Sequence, residues 1–103
     1  MSKISFEDWL HSSDEERLHI HRSWDVVSGE GKDIVSEIAK LLKEECVYNV
    51  KNVNVLHKEG FWHIEAFLEA DDFENVGHRQ NMDFLGFRVA FTSVSNQPSC
   101  VSI

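Results

Sequence analysis

At 103 residues the chain has room for one domain with one hydrophobic core and little beyond it. Its 42% apolar and 27% charged residues, with three Trp and seven Phe, exclude a disordered or fibrous chain and supply large rings for packing. Eighteen Asp and Glu against ten Lys and Arg give a net charge of −8, with 6 basic and 11 acidic residues up to Cys46 and 4 and 7 beyond it, so no basic surface for nucleic acid is expected.

Glu7 and Asp8 interrupt any apolar stretch near Met1, which argues against a targeting segment. No apolar run approaches the roughly 20 residues that span a bilayer, so no membrane association is expected. Two cysteines, Cys46 and Cys100, make no disulfide framework and fit reduced thiols in a cytoplasmic setting. The domain is expected over residues 1–92, with 93–103, rich in Ser, Asn, Gln and Pro, as a flexible tail.

Ser5 is a good N-cap, with Ile4 and Trp9 spaced as a hydrophobic staple and Asp8 in the capping-box position. A second helix starts at Ser13, where Glu16 completes a capping box and Asp14 and Glu15 suit the positive helix end. Ile20, Trp24 and Val27 follow at i, i+4 and i+7, predicting one apolar face before Gly29 and Gly31 punctuate. Ile34, Val35, Ile38, Ala39, Leu41, Leu42 and Cys46 form a broad stripe on a third helix, wide enough to pack on a sheet.

After Cys46 the period shortens to 2. Val50 to His57 reads as a strand, and Glu59-Gly60 as a two-residue hairpin turn. That turn pairs Val55 with Ile64, Val53 with Ala66 and His57 with Trp62 on one face. The other face receives Asn52, Asn54, Leu56, His63, Glu65 and Phe67. Asp71 to Asp83 reads as a long polar loop, containing Asn75, His78, Arg79 and Asn81, that is functional or hides a helical turn. Phe84 to Thr92 reads as a third strand, giving an α+β fold of about three helices and then a three-stranded antiparallel meander with the third helix on one face. That order is similar to cystatin-like and other helix-on-sheet domains, an analogy that carries no function.

Gly29-Glu30-Gly31-Lys32 fails as a phosphate loop, because Val26 and Asp33 stand where Gly and Ser or Thr are required. His19 and His21 point to different sides of a helix, His57 and His63 to opposite faces of a hairpin, and no Cys pair has zinc spacing, so neither metal nor cofactor is expected. No nucleophile motif is present, and a non-catalytic protein is the simpler expectation. The one constellation with chemical content is the outer sheet face. There Asn52, Asn54, His63, Glu65, Phe67 and Arg88, joined by His78 and Arg79 of the loop, could bind a polar group, or Glu65 and Arg88 could form an ordinary cross-strand pair.

Trp24, Gly29-Glu30-Gly31-Lys32, Ile34-Val35 and Leu85-Gly86-Phe87-Arg88-Val89 together resemble small uncharacterised bacterial proteins of the kind carried on mobile gene cassettes. The resemblance spans most of the chain and implies a bacterial origin, with no activity to transfer. The expectation is a binding protein that meets a protein partner or a second copy of itself, in specific form an acidic immunity-type inhibitor of a basic protein. The alternative is a small-molecule-binding domain or minor enzyme using His63, Glu65 and Arg88.

Overall fold

A computed structural model describes residues 4–77 and 81–94. Helix α1 (Phe6–His11) starts where the Ser5 side chain accepts from the Asp8 amide. Helix α2 (Asp14–Ser23) starts on a reciprocal capping box, Ser13 Oγ accepting from the Glu16 N–H and the Glu16 carboxylate from the Ser13 N–H. A 3-10 turn over Val26–Ser28 leads through Gly29 into α3 (Lys32–Glu45), which buries Ile34, Val35, Ile38, Ala39 and Leu42. Strands β1 (Val50–Lys58) and β2 (Phe61–Leu68) follow, then α4 (Ala70–Val76), β3 (Asn81–Phe84) and β4 (Phe87–Ser93).

The first hairpin has the expected register: Val55 faces Ile64, Val53 faces Ala66 and His57 faces Trp62, around Glu59 and Gly60 with φ of 56° and 84°. A bulge between Val50 and Asn52 ends the regular pairing. The rest of the sheet differs from a three-stranded meander. It is four-stranded and mixed, in the order β1-β2-β4-β3, with β4 parallel to β2 and antiparallel to β3.

The reason is a second tight turn at Leu85-Gly86, with φ of 49° and 93°, that breaks the expected Phe84–Thr92 strand in two. The polar segment Asn81-Met82-Asp83 takes the edge of the sheet. The apolar segment carrying Phe87, Val89 and Phe91 takes the interior place beside β2. A parallel neighbour needs a crossover, and the long loop supplies it: Asp71 to Asp83 holds most of α4 and the first residues of β3.

The two sheet faces are chemically unequal. Trp62, Ile64, Ala66 and Leu68 of β2 and Phe87, Val89 and Phe91 of β4 are buried in one core with α3, Trp9 and Val26. On the other face Arg88 is exposed and His63 and Glu65 are half-buried.

Helix α2 departs from the apolar stripe expected of it. The helix ends at Ser23, Trp24 is extended, and Val27 is 79% exposed. The buried residues of α2 are Arg17 and His21, at i and i+4, inward because each has an assigned partner, with Ile20 and Trp24 half-buried against the core. Arg17 donates to the carbonyls of Trp9 (2.9 Å) and Leu10 (2.8 Å) at the end of α1, where that of Trp9 also accepts from the Ser12 N–H, and meets Asp14 at 3.3 Å.

His21 Nε2 accepts from the Trp62 N–H at 2.8 Å, so the imidazole stands where a neighbouring strand would otherwise pair. Its ring packs against Trp9, Trp24, Phe61 and Phe87. Trp9 is fully buried, stacks on Trp24 (5.2 Å) and Phe87 (5.0 Å), and gives its indole N–H to the Leu85 carbonyl at 2.7 Å. Trp62 gives its own to the Glu30 carbonyl, tying the loop before α3 to the sheet.

Two predictions follow from these contacts. A Cβ on Gly31 would come within 2.3 Å of the Trp24 ring at φ 86°, whereas one on Gly29, at φ 95°, would meet nothing within 4 Å. Gly29→Ala should therefore lose about 1 kcal/mol by urea titration and Gly31→Ala at least about 3 kcal/mol, conformational strain plus the clash. Equal losses would place the Trp24 ring elsewhere.

The His21 pKa is pushed down to about 4, first by burial and then by the nearby His63, against a backbone hydrogen bond at Gly86. Between that value and the ordinary 6.5 the unfolded chain holds a proton that the folded chain refuses, so stability is full above pH 6.5 and falls as pH drops toward 4. The loss should reach roughly 3 kcal/mol. His21→Gln, which keeps an acceptor and cannot titrate, should flatten stability across that window in chemical denaturation. An unchanged slope would contradict a neutral, buried His21.

Candidate functional site

The open face of the sheet is a grid fixed by strand register. One row across it reads Leu56, His63, Arg88, Asp83, and the next reads Asn54, Glu65, Ala90, Asn81. Because the side-chain period is two, all eight project to the side away from α3. The face is gently concave rather than flat. A hollow of about 260 Å³ is lined by Leu56, Lys58, Glu59, His63, Glu65, Asn81 and Arg88, with Ile64 and Ala90 at its floor.

The expected site residues separate here. Asn54, His63, Glu65 and Arg88 come together, with Asn54 Nδ2 donating to Glu65 Oε1 at 3.3 Å. Asn52 is exposed and turns its side-chain oxygen to the Val53 N–H at the sheet edge. Phe67 lies on this face but is only 3% exposed, so it offers a ligand little surface. Phe61 and Phe84 are half-buried, Phe61 against the His21 ring. His78 and Arg79 lie outside the described residues.

The ordinary Glu65–Arg88 pair does not form. Register sets Arg88 beside His63 and Glu65 beside Ala90, and among the described residues the Arg88 guanidinium has neither an ion pair nor a hydrogen bond. Glu65 keeps its contact with Asn54 instead. Lys58 and Arg88 therefore share the hollow with Glu59 and Glu65, and Asp83 is the cross-strand neighbour of Arg88, so this face carries both signs of charge.

This arrangement suits recognition better than proton transfer. His63 and Glu65 are two residues apart on one strand, about 7 Å along it, and no hydrogen bond joins them or orients His63 among the described residues. A general base needs hydrogen-bond reach to its proton and a group that orients it. Arg88, by contrast, presents a fork of donors to any carboxylate that arrives, and Glu65 an acceptor to any cation.

Asn81, Lys58 and Glu59 complete the hollow without having been singled out as site residues in the sequence. Asn81 was hidden because its place depends on the Leu85-Gly86 turn, which folds β3 back beside β4. A signal was present: Gly60-Phe61 and Gly86-Phe87 repeat the same pattern at the start of a strand.

Elsewhere the surface is plainer. Gly29, Glu30 and Gly31 line a smaller hollow of about 110 Å³ with Trp24 and Ile34, but Glu30 is engaged there, its carboxylate accepting from the Asp25 N–H at 2.8 Å. Among the described residues no three His, Cys, Asp or Glu side chains converge as metal ligands. Cys46 is a free thiol at the end of α3. No helix is long and apolar enough to cross a membrane.

No family model matches this chain, and neither the curated proteins nor the solved structures hold a significant match to it.

Proposed function

We propose that this chain is a non-catalytic binding protein whose open sheet face receives side chains from a basic partner protein. The observation that carries the reading is the hollow itself, in which Arg88 is unpaired among the described residues and Glu65 is held only by Asn54. A charged group left without a partner costs little while water reaches it and gains most when a complementary group replaces that water. The net charge of −8 favours a basic partner by accelerating encounter, and an immunity-type inhibitor is the specific form that fits. A reduced, cytoplasmic setting belongs to the same reading, supported by the free Cys46 thiol.

A second reading has one observation in its favour: a hollow of about 260 Å³ lined by both donors and acceptors would hold a small zwitterion such as an amino acid. The hollow's shallowness, and the missing hydrogen bond between His63 and Glu65, place this second.

The test immobilises the wild-type chain, Arg88→Glu, Glu65→Lys and, as a control on the exposed side of α3, Lys40→Glu, and compares what each retains from the native lysate. A basic protein held by wild type and Lys40→Glu, and reduced at least about tenfold by either face variant, is expected. Equal retention by all four would remove the sheet face from the function. Saturable amide shifts at His63, Glu65 and Arg88 with free amino acids, without any protein partner, would instead establish the second reading.

A further inference from the structure

Helix α2 is attached differently from the rest of the core. Helix α3 lies on the sheet through the buried apolar side chains of Ile34, Val35, Ile38, Ala39 and Leu42. The buried residues of α2 are polar, Arg17 and His21, while its Leu18 is 47% exposed and its Ile20 half-buried. Arg17 reaches back to the carbonyls of α1. The hydrogen bond that fastens α2 to the sheet is the one at the His21 imidazole.

That bond sits at a gap in the sheet. The parallel register of β2 with β4 begins at His63 opposite Arg88, and one residue earlier the Trp62 N–H is taken by His21 Nε2 at 2.8 Å. With Nε2 as acceptor the neutral ring carries its proton on Nδ1, the tautomer that suits the backbone hydrogen bond at Gly86. A second proton can go only to Nε2, where it sets N–H against N–H. The bond to Trp62 and a charged imidazole therefore exclude each other by geometry.

The surroundings act in the same direction. Trp9 of α1, Trp24, Phe61 of β2 and Phe87 of β4 enclose the ring with uncharged side chains and leave it 3% exposed. Of the charged and titratable groups around it, His63 of β2 opposes a positive charge on His21, and Arg17, one turn earlier on α2, is turned to the α1 carbonyls. Among the described residues no carboxylate pairs with the ring.

We propose that His21 is an acid-operated latch: a proton at Nε2 detaches the C-terminal end of α2 from β2 while α3 and the sheet stay packed. Release carries the charged ring to water and uncovers the Trp62 N–H and the Phe61 ring at the end of the sheet. The engaged ring accepts a proton only near pH 4, the released one at the ordinary 6.5. The latch is therefore closed above pH 6.5, and release becomes about tenfold more favourable for each pH unit below it, down to about 4. Acid thus acts first on one helix end, before the core opens. The latch stands on the contact of α2 with β2 and does not depend on what the polar hollow binds.

The test is amide exchange by NMR on the full chain, in steps from pH 6.5 toward 4, corrected for intrinsic rates and repeated in urea below the unfolding transition. The Trp62 amide should exchange through an opening that urea leaves nearly unchanged, its protection falling about tenfold per pH unit. The amides of Ile64 and Val89 should exchange only through urea-sensitive global unfolding. His21→Gln should hold the Trp62 protection constant across the same range. Should that variant fail to fold, the urea dependence of the wild-type chain decides alone. A Trp62 amide as urea-sensitive as those of Ile64 and Val89 at every pH would overturn the latch. So would Trp62 protection that ignores pH, or that still falls with pH in His21→Gln.

Discussion

Trp9 is gripped on both faces and at its edge. Trp24 and Phe87 stack on the two sides of its ring at 5.2 and 5.0 Å, and the indole N–H is held by the Leu85 carbonyl at 2.7 Å. These contacts join residues nearly eighty positions apart, fastening the first helix to the last hairpin. A buried Trp contributes on the order of 3–5 kcal/mol, a large share of what a domain this size has in total. The direction of the hydrogen bond adds specificity, since only a turn at Leu85-Gly86 presents that carbonyl to the ring. Arg17 and Trp9 then close over Gly86, where an added Cβ would lie 3.0 Å from the Trp9 ring.

From that joint the rest of the sheet follows. With the Leu85-Gly86 turn anchored, β4 starts at Phe87 and runs beside β2, while β3 is left as the edge. At the same end of the sheet His21 takes the Trp62 N–H that β4 begins too late to reach. Trp9, Trp24, Trp62 and Phe87 are thereby drawn to one face, while Phe67 stays on the other. The other face keeps only what strand alternation delivers to it, which is His63, Glu65, Arg88 and their neighbours, with no helix of the aromatic joint above them. Sealing one face and leaving the other open are two results of one packing decision.

How far this was legible in the sequence depends on how local each signal was. The caps at Ser5 and Ser13, the α3 stripe and the Glu59-Gly60 hairpin are specified by residues within a few positions of one another, and each was readable. The Leu85-Gly86 turn was not, because Leu is an unusual residue at φ 49° and Leu85 falls in phase with Phe87, Val89 and Phe91, so the apolar alternation of β4 extends back into the turn. Leu85, Phe87, Val89 and Phe91 therefore read as one strand. Missing that turn hid β3, the parallel pair and Asn81 together. The buried face of α2 was misread for a different reason. Arg17 and His21 are polar, and their inward position depends on partners in α1 and β2 that periodicity cannot show. At the site, His63, Glu65 and Arg88 were legible from alternation alone, whereas Phe67 shared their parity but not their exposure.

The sharpest test of the joint is hydrogen exchange at the three indole N–H groups, each resolved by nitrogen-15 NMR. Those of Trp9 and Trp62 are hydrogen-bonded to Leu85 and Glu30, while that of half-buried Trp24 has no partner among the described residues. The account predicts that the Trp9 and Trp62 indole protons exchange only through global unfolding, as slowly as the amides of Ile64 and Val89, and that the Trp24 proton exchanges far faster. A Trp9 indole proton that exchanges as fast as that of Trp24 would contradict it.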